Sequence, residues 1–254
     1  MAIMEIRFDK KIVVITGGSS GIGLSAVSLF AEAGAIVYNL DIQGPTSEIL
    51  GVTYLKCDVS DFRQVNDCVS SIITNHGQIH HAFLNAGVHQ VGNVETLDLN
   101  TIDRVININL KGVIYGLKCI LPNMREHREG SIVLMGSDQS FVGKGDSFIY
   151  GATKGAIGQL TKSTAIDYAS YNVRINCVCP GTIETPLYHN AVNNFSKAKG
   201  YDKDEVYKAI KAAQPIQRVG LPEEVANTVL FLCSEKVGFT TGALVSMDGG
   251  YVAQ

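Results

Sequence analysis

The sequence predicts an α/β fold with one doubly wound parallel sheet of about seven strands and helices on both faces. Three observations predict it. Short apolar, β-prone runs alternate with segments whose apolar residues recur at helical spacing. The first strand and helix are joined by a glycine-rich turn, as in parallel sheets with helical crossovers. The chain has 254 residues, of which 46% are hydrophobic and 18% charged, so residues 1–254 suit a single compact domain.

The first 41 residues predict one strand–helix–strand unit. Residues 11–16 are an apolar run that ends in glycines, and apolar residues then recur at helical spacing until Gly34. Residues 35–40 are apolar and β-prone again, and the alternation continues along the chain. The further predicted strands are residues 53–56, 81–84, 131–135, 174–178 and 243–247, and the further predicted helices are residues 61–75, 101–110, 113–125, 150–168 and 223–232.

One stretch breaks this alternation. Residues 185–219 are polar and irregular, with a single predicted helix at residues 204–213 that is bounded by Pro215. No linker, repeat or low-complexity tract divides the chain. We therefore interpret residues 185–219 as a mobile substrate lid on one domain.

The charge balance offers no basic surface for nucleic acid. The formal net charge is -3, and the 21 Lys and Arg residues are scattered along the chain. No apolar run approaches the ~18 to 20 residues that cross a bilayer. Residues 1–11 carry charged groups where a signal peptide has its apolar core. We expect a cytoplasmic protein without nucleic-acid or membrane partners.

The cysteines and histidines do not predict a metal site. The six cysteines stand in apolar segments and form no CxxC pair. They are also not grouped with histidines at ligand spacing. Buried free thiols are the simpler interpretation.

A glycine-rich turn follows the first predicted strand. Residues 16–23 read TGGSSGIG, which places glycines where a backbone must turn tightly and approach a pyrophosphate. The amides at the start of the next helix would face the phosphates. In a chain with 26 glycines, the same motif could be only a turn. The candidate cofactor contacts are Gly17, Ser20, Gly21, Ile22 and Gly23.

Asp41 closes the second predicted strand. It stands eighteen residues after Gly23, near the spacing of about 20 at which an acid binds the cofactor ribose. Its charge would repel the 2′-phosphate of NADP, and residues 17–23 and 42–55 contain no Lys or Arg to offset that repulsion. The sequence therefore favours NAD as the cofactor, although a solvated aspartate at a strand end would look the same.

Tyr150 and Lys154 stand four residues apart at the start of a predicted helix, so their side chains share one face. Tyr207 and Lys211 have the same spacing, but there we expect only an exposed helix face. Ser137 distinguishes the first pair because it follows the fifth predicted strand, at the edge of the sheet where doubly wound folds bind ligands.

A tyrosine that acts as an acid/base catalyst at neutral pH requires a lowered pKa. The reference pKa is near 10, so activity at neutral pH needs a fall of about two to three units. The Lys154 ammonium and a positively charged nicotinamide can lower the pKa of Tyr150.

Linked motifs make the chain resemble the short-chain dehydrogenase/reductase family, in its short single-domain branch, from about residue 9 to residue 250. The motifs are TGGSSGIG (16–23), CDVS (57–60), LNAG (84–87), NLKG (109–112), YGATK (150–154) and PGTIETP (180–186). Leu84 stands where the family has an asparagine, and Gly136 where it has the first of two serines. The resemblance implies a Rossmann-like fold and direct hydride transfer between a nicotinamide cofactor and a secondary alcohol or ketone.

The resemblance also assigns roles to residues. Ser137 would hydrogen-bond the substrate oxygen, Tyr150 would exchange its proton and Lys154 would hold the nicotinamide ribose. Asn109 would support a water relay; Asn107 competes for this role, but only Asn109 begins the NLKG motif. The further cofactor contacts implied are Asp58, Val59, Asn85, Ala86, Gly87, Pro180, Gly181, Ile183 and Thr185.

Polar residues would face the substrate by family geometry. They favour a sugar, polyol or hydroxy acid over a steroid or a long acyl chain. Each of them could also be a solvated loop position. Besides Ser137 and Tyr150, the candidates are His89, Gln139, Lys144, Tyr188 and His189.

The helix that begins near Tyr150 has a small-sided face. Close helix contact there fits the homotetramers usual among similar proteins, although burial inside a monomer would explain it equally. Its small residues are Gly151, Ala152, Gly155, Ala156 and Gly158.

Two other functions share this fold. An acyl-carrier-protein ketoreductase would normally use NADPH and a basic docking patch, and Asp41 and the negative net charge oppose it. A catalytically silent NAD-binding sensor is opposed by the presence of Ser137, Tyr150 and Lys154. The sequence favours an NAD-dependent dehydrogenase acting on CH–OH groups, and it leaves the substrate and the direction of reaction open.

Overall fold

A seven-stranded parallel sheet organises residues 6–254, the part of the chain that the computed structural model describes. Its strands are β1 (Ile12–Thr16), β2 (Ile36–Asp41), β3 (Val52–Lys56), β4 (His81–Leu84), β5 (Gly130–Met135), β6 (Val173–Pro180) and β7 (Leu244–Met247). They lie in the order β3-β2-β1-β4-β5-β6-β7, and every neighbouring pair is parallel. This confirms the predicted doubly wound sheet. The winding reverses between β1 and β4, so a ligand crevice is expected where these strands end.

Eight α-helices accompany the sheet within the same residues. They are α1 (Gly21–Glu32), α2 (Phe62–His76), α3 (Leu99–Ile106), α4 (Gly112–His127), α5 (Phe148–Ala169), α6 (Pro186–Lys199), α7 (Lys203–Ala213) and α8 (Pro222–Cys233). Residues along β1 alternate between two cores: Val14 packs with α2, α4 and α5, whereas Val13 and Ile15 pack with α1 and α8. The sheet is therefore covered on both faces, as parallel sheets require.

The helices predicted at residues 101–110 and 113–125 form one continuous stretch. A π-helical segment, Asn107–Lys111, joins α3 to α4 without a break. By length and composition alone, Leu99–His127 could cross a membrane, with a hydropathy of 1.2 in its most apolar window, of which 44% is buried inside the fold. The sequence-based statement that no segment approaches a membrane span therefore needs this correction. Residues 1–5, part of the charged stretch interpreted against a signal peptide, lie outside the described residues.

Residues 185–219 are more regular than predicted. Helix α6 occupies the part that we expected to be irregular, and it forms an apolar cluster with α7 that includes Tyr188 and Val192. We call α6 and α7 the helical cap. Tyr207 packs in this cluster, so the prediction of an exposed face at Tyr207 and Lys211 is wrong for the tyrosine, while Lys211 is exposed.

Candidate active site

A cleft of about 1460 Å³ opens at the carboxyl edge of the sheet, between the strand ends and the helical cap. It follows the glycine-rich turn and the ends of β2, β3, β4, β5 and β6. Nearly all residues that the sequence analysis proposed for the site line this cleft. The three that do not are Gly23, Asn109 and His189.

The glycine-rich turn forms a cradle that has no room for side chains. Gly17 has a φ of 67°, and a Cβ there would lie 2.9 Å from the Ala86 Cα. Gly23 lies beneath the turn, where a Cβ would collide with the Gly17 carbonyl oxygen. The Ser20 side chain does not cap α1, which leaves the first amides of that helix available to an anion. The residues of the turn therefore fit the pyrophosphate of a dinucleotide.

Replacing Gly23 by alanine is expected to weaken both folding and cofactor binding. The added methyl group meets backbone rather than a flexible side chain, so the turn must shift. We expect a loss of about 1–3 kcal/mol in the free energy of unfolding, from thermal or denaturant melts. The control is Gly238→Ala, an exposed position whose nearest atom would lie at 3.5 Å. If Gly23→Ala binds the cofactor as tightly as the wild type, the cradle is misassigned.

Asp41 is fixed at the rim of the cleft, at the end of β2. Its two carboxylate oxygens accept hydrogen bonds from the backbone N–H groups of Ser19 (3.0 Å) and Gln43 (3.1 Å). The described cleft-lining residues that follow it in sequence, up to Thr46, carry no positive charge. A negatively charged acceptor therefore stands here without a nearby Lys or Arg from this segment.

Ser137 and Tyr150 meet at the other end of the cleft. Ser137 follows β5 and is 6% exposed, and its hydroxyl donates to Asp138 Oδ1 at 2.8 Å. The His89 ring lies edge-on to the Tyr150 ring, with 4.8 Å between centroids. Burial raises the pKa of Tyr150 to about 12; the Asp138 carboxylate acts in the same direction, and a hydrogen bond with Ser137 opposes it. The described side chains therefore do not produce the lowered pKa that the sequence analysis expected.

Lys154 is anchored on the main chain at the end of β5. Its Nζ donates to the Met135 carbonyl oxygen at 2.7 Å and lies 5.5 Å from the centre of the Tyr150 ring. Lys154 is only 3% exposed, and this burial lowers its pKa to about 8.

Two buried thiols lie beneath Gly136, the residue that follows β5. Cys177 and Cys179 stand on one face of β6, with their sulfur atoms 3.7 Å apart. A Cβ on Gly136 would lie 2.7 Å and 2.8 Å from these sulfur atoms. The thiols therefore occupy the space that a side chain at position 136 would need, which explains the glycine before Ser137.

Asn109 holds the loop that follows β4 by hydrogen bonds to its main chain. It lies in the π-helical segment and is 1% exposed, and its Oδ1 accepts from the Val88 N–H at 2.8 Å. Its Nδ2 donates to the Val88 carbonyl oxygen at 2.9 Å. A π-helical turn often marks a functional position. Here the π-helical turn directs the Asn109 side-chain amide towards Val88, in the loop that follows β4.

Replacing Asn109 by alanine is expected to destabilise the fold. It leaves the N–H and carbonyl groups of Val88 without their partner, at about 1–3 kcal/mol each when such groups stay buried. We expect a fall of about 2–4 kcal/mol in the free energy of unfolding, measured in urea. Asn107→Ala, two residues away on the same segment, is expected to cost less. Equal losses from the two variants would contradict the bracing role.

The substrate end of the cleft is polar. Lys144 Nζ forms an ion pair with Asp138 Oδ2 at 2.6 Å and lies 4.5 Å from the centre of the Tyr251 ring. Tyr188 and Gln139 line the same space, and the Tyr188 hydroxyl and Gln139 Oε1 are buried without a hydrogen-bond partner among the described residues. Unpaired buried polar atoms are costly, so each of the two needs a partner that the described residues do not supply.

His189 does not face the cleft. His189 is not among the described residues that line it. Its Nδ1 lies 2.9 Å from the Tyr207 hydroxyl oxygen on α7, and the ring of the neighbouring Tyr188 also lies 5.5 Å from the Tyr207 ring. The placement of His189 in the substrate lining stays a prediction, which the described cleft does not support.

Comparison with known proteins identifies the family. The family model described as enoyl-(acyl carrier protein) reductase matches residues 17–252. The chain is 34% identical to 2-keto-3-deoxy-L-fuconate dehydrogenase of Xanthomonas campestris pv. campestris, over 96% of this chain and 81% of that protein. It is 32% identical to the 3-oxoacyl-acyl-carrier-protein reductase of Thermotoga maritima, over 97% of this chain and 100% of that protein. The chain belongs to the short-chain dehydrogenase/reductase family.

Solved structures agree with this assignment. Ligand-free aldohexose dehydrogenase of Thermoplasma acidophilum superposes with a TM-score of 0.90 at 34% identity, covering 97% of this chain and 95% of that one. ElxO, solved with NADP bound, superposes with a TM-score of 0.87 at 29% identity, covering 96% and 100%. As a short-chain dehydrogenase/reductase, the protein is an oxidoreductase acting on CH–OH groups with a nicotinamide cofactor.

Two residues of this short-chain dehydrogenase/reductase site escaped the sequence analysis. Ser19 lines the cleft and fixes Asp41 through its N–H group. Asp138 contacts Ser137 directly. Ser19 could have been found from its place inside the glycine-rich motif, whereas the only sequence signal for Asp138 is that it follows Ser137.

Proposed function

We propose that the protein is an NAD-dependent dehydrogenase that interconverts a small polar secondary alcohol and its ketone. The observation that supports this most is that one cleft holds Asp41 at one end and Ser137, Tyr150 and Lys154 at the other. The glycine cradle follows β1, which lies between β2, the strand that ends at Asp41, and β5, the strand that Ser137 follows. A dinucleotide bound along this cleft would bring its nicotinamide to Tyr150.

The proposed chemistry divides the work among the side chains. A nicotinamide cofactor, held by the glycine-rich turn, Asp41 and Lys154, would supply or accept a hydride at the carbinol carbon. Tyr150 takes the proton of the substrate oxygen during oxidation and returns it during reduction. Ser137 hydrogen-bonds the same oxygen, and Lys154 would hold the nicotinamide ribose. Asn109 keeps the loop at Val88 in place beside Tyr150.

A neutral, hydroxyl-rich substrate suits the polar lining. Two ion pairs lie there: Lys144 with Asp138 at 2.6 Å, and Lys199 with Asp146 at 3.2 Å. The unpaired Gln139 oxygen adds an acceptor for a substrate hydroxyl. Aldohexose dehydrogenase and 2-keto-3-deoxy-L-fuconate dehydrogenase, two proteins that this chain resembles, are named for sugars and sugar acids. We therefore place sugars and polyols first.

Asp41 supports NAD over NADP. A carboxylate at the end of β2 can accept hydrogen bonds from both adenosine ribose hydroxyls. The same charge repels a 2′-phosphate, and the described lining residues that follow Asp41 up to Thr46 carry no positive charge to offset it. This preference differs from ElxO, which was solved with NADP.

The helical cap is the proposed lid. Residues of α6 and α7 line the cleft above the substrate end, and Lys199 at the end of α6 bridges to Asp146 on the opposite wall. An exposed ion pair of this kind contributes little free energy, so it can open during turnover.

The oligomeric state of the protein and its location in the cell stay predictions. A homotetramer is supported by Gly155, where a Cβ would meet no atom within 4 Å, so this helix face is open to a second subunit. Light scattering on the purified protein would measure the mass of the assembly. We retain the cytoplasm as the expected location.

A panel assay tests the proposed function. Reduction of NAD and NADP would be followed with sugars, polyols, hydroxy acids and simple secondary alcohols, with Tyr150→Phe as the blank. Activity with NAD that disappears in the variant supports the proposal. Reduction of β-ketoacyl thioesters with NADPH alone would favour the second candidate, a ketoreductase like the Thermotoga maritima relative. Tight NAD binding without any turnover would overturn the proposal in favour of a sensor.

A further inference from the structure

His89 borders the catalytic tyrosine and lines the cleft. Its ring lies edge-on to the Tyr150 ring, with 4.8 Å between centroids. One ring nitrogen, Nε2, lies 3.2 Å from the Ser147 hydroxyl oxygen. The other nitrogen, Nδ1, has no hydrogen-bond partner among the described residues, and it is not one of their buried unpaired polar atoms. A nitrogen beside the reacting centre is therefore open to a ligand.

The loop that carries His89 is anchored on both sides of the ring. Before it, both main-chain polar groups of Val88 are bonded to Asn109, at 2.8 and 2.9 Å. After it, the Gly92 N–H donates to the Asp146 carbonyl oxygen at 2.8 Å, two residues before α5 begins. Helix α5 carries the catalytic tyrosine. Main-chain contacts therefore hold the imidazole at a fixed place beside the tyrosine, as precise recognition of a substrate requires.

Ser147 contacts the His89 ring instead of capping α5. It precedes the first turn of this helix, where a serine side chain normally accepts a hydrogen bond from a helix N–H group. Its side chain makes no such bond, and its hydroxyl lies against His89. A local preference of this kind is set aside mainly at functional sites.

The imidazole is neutral at pH 7. Burial lowers the pKa of His89 below its ordinary value, and the positive Lys144 acts in the same direction. A neutral ring has one donor nitrogen and one acceptor nitrogen. Because the Ser147 hydroxyl can donate to Nε2 or accept from it, Nδ1 can take either role. A substrate hydroxyl also donates and accepts, so it suits both forms of the ring.

We propose that His89 determines substrate specificity by binding a second hydroxyl group, on the carbon next to the carbinol carbon. The site then prefers vicinal diols to isolated secondary alcohols. The proposed mechanism gives the reacting oxygen to Tyr150 and Ser137, which leaves the His89 nitrogen for a neighbouring group. Because the two rings are in contact, a substrate whose oxygen reaches the tyrosine hydroxyl meets the imidazole with a group close to that oxygen. This role deepens the dehydrogenase function proposed above and rests on it for the position of the carbinol carbon.

The first test compares two alcohols that differ by one hydroxyl group on the adjacent carbon, butane-2,3-diol and butan-2-ol. For each reactive hydroxyl, we expect the wild type to have a kcat/KM about threefold to tenfold higher with the diol. His89→Phe keeps a ring against Tyr150 and removes both nitrogens, so this ratio should fall to about one. A wild-type ratio near one, or the same ratio in wild type and His89→Phe, overturns the role of His89.

His89→Asn distinguishes a lost hydrogen bond from a lost shape. Its amide lies near the position of Nδ1 and can donate or accept, so it should keep part of the preference for the diol. If His89→Asn and His89→Phe lose the preference equally, the hydrogen bond is not its cause.

His76→Phe is the matched control. His76 also lies edge-on to a tyrosine, at 5.6 Å from the Tyr38 ring, and its Nε2 lies 2.7 Å from the hydroxyl oxygen of that tyrosine. It is not among the described residues that line the cleft. The ratio between the two alcohols should therefore equal that of the wild type. An equal fall in His76→Phe and His89→Phe would show a general effect of the substitution and would contradict the proposed contact.

The second test needs no turnover, which separates this role from the proposed function. In the complex with NADH an alcohol cannot react, because the cofactor is already reduced. Titration by ligand-observed NMR should give a Kd for butane-2,3-diol about threefold to tenfold below that for butan-2-ol, and His89→Phe should remove the difference. Preferential binding of the diol without turnover of any alcohol would support His89 and count against the dehydrogenase. Equal binding of the two alcohols to the wild type overturns the role of His89, whatever the turnover.

Discussion

Replacing Tyr150 by phenylalanine is expected to lower kcat by about a thousandfold in either direction of the reaction. The variant loses the hydroxyl that we propose exchanges the proton of the substrate oxygen, while the ring keeps its edge-on contact with His89. The free energy of unfolding should change by about 1 kcal/mol or less, because one hydroxyl is removed. Steady-state kinetics with a substrate from the panel, and a thermal melt, would measure both.

The chain provides its own control for this prediction. Tyr207 has the same spacing to a lysine, and its hydroxyl contacts His189 within the helical cap. Tyr207→Phe therefore removes the same atom outside the cleft, and kcat should stay within a few-fold of the wild type. Residual activity of Tyr150→Phe within tenfold of the wild type would show that another group moves the proton.

The second large effect is expected at Asp41. Asp41→Ala removes the acceptor proposed for the adenosine ribose, and hydrogen bonds to a charged group contribute about 1.5–3 kcal/mol. The Kd for NAD should rise about tenfold to a hundredfold. The Kd for NADP should fall, because the charge that faces its 2′-phosphate is lost. Titration calorimetry with both cofactors would measure the change in preference.

Glu205→Gln separates this effect from a general change in charge. Glu205 lines the cleft from α7, so its substitution removes a negative charge at the cap rather than at the end of β2. The preference between NAD and NADP should not change in this variant. A wild-type protein that already binds NADP as tightly as NAD would contradict the role given to Asp41.

The central strands could be predicted because they are buried on both faces. Residues 81–84 were predicted with the bounds that the structure gives, and their apolar run fills the centre of the sheet. Such runs reflect burial directly, so they are visible without any knowledge of their neighbours. The motifs at the strand ends could then be assigned to one edge of the sheet.

Helix α6 could not be predicted from periodicity. Its sequence, PLYHNAVNNFSKAK, is rich in polar residues with low helix propensity, and its apolar contacts are made to α7 rather than to the sheet. The local signals were nevertheless present. Thr185 caps the helix through its side chain, Pro186 stands in its first turn, and Gly200 ends it with a φ of 72°.

The burial of Asp138 and its contacts with Ser137 and Lys144 could not be predicted from the sequence. An acid after a serine is usually solvated, and nothing in SDQSFVGK indicates that this one is buried. Its burial requires Lys144 to reach back six residues and pair with it. Likewise, the raised pKa of Tyr150 follows from burial among its neighbours, which a spacing of four residues does not encode.

The thiols beneath Gly136 restrict the order in which substitutions found in related proteins can be introduced into this chain. A serine at position 136, as the family usually has, would collide with Cys177 and Cys179 while both sulfur atoms are present. Cys177 and Cys179 must be replaced by smaller residues before a side chain is added at position 136. The reverse order passes through an overpacked intermediate. Position 136 is thus epistatic to two residues on a different strand, and a substitution tolerated in a relative cannot be transferred here alone.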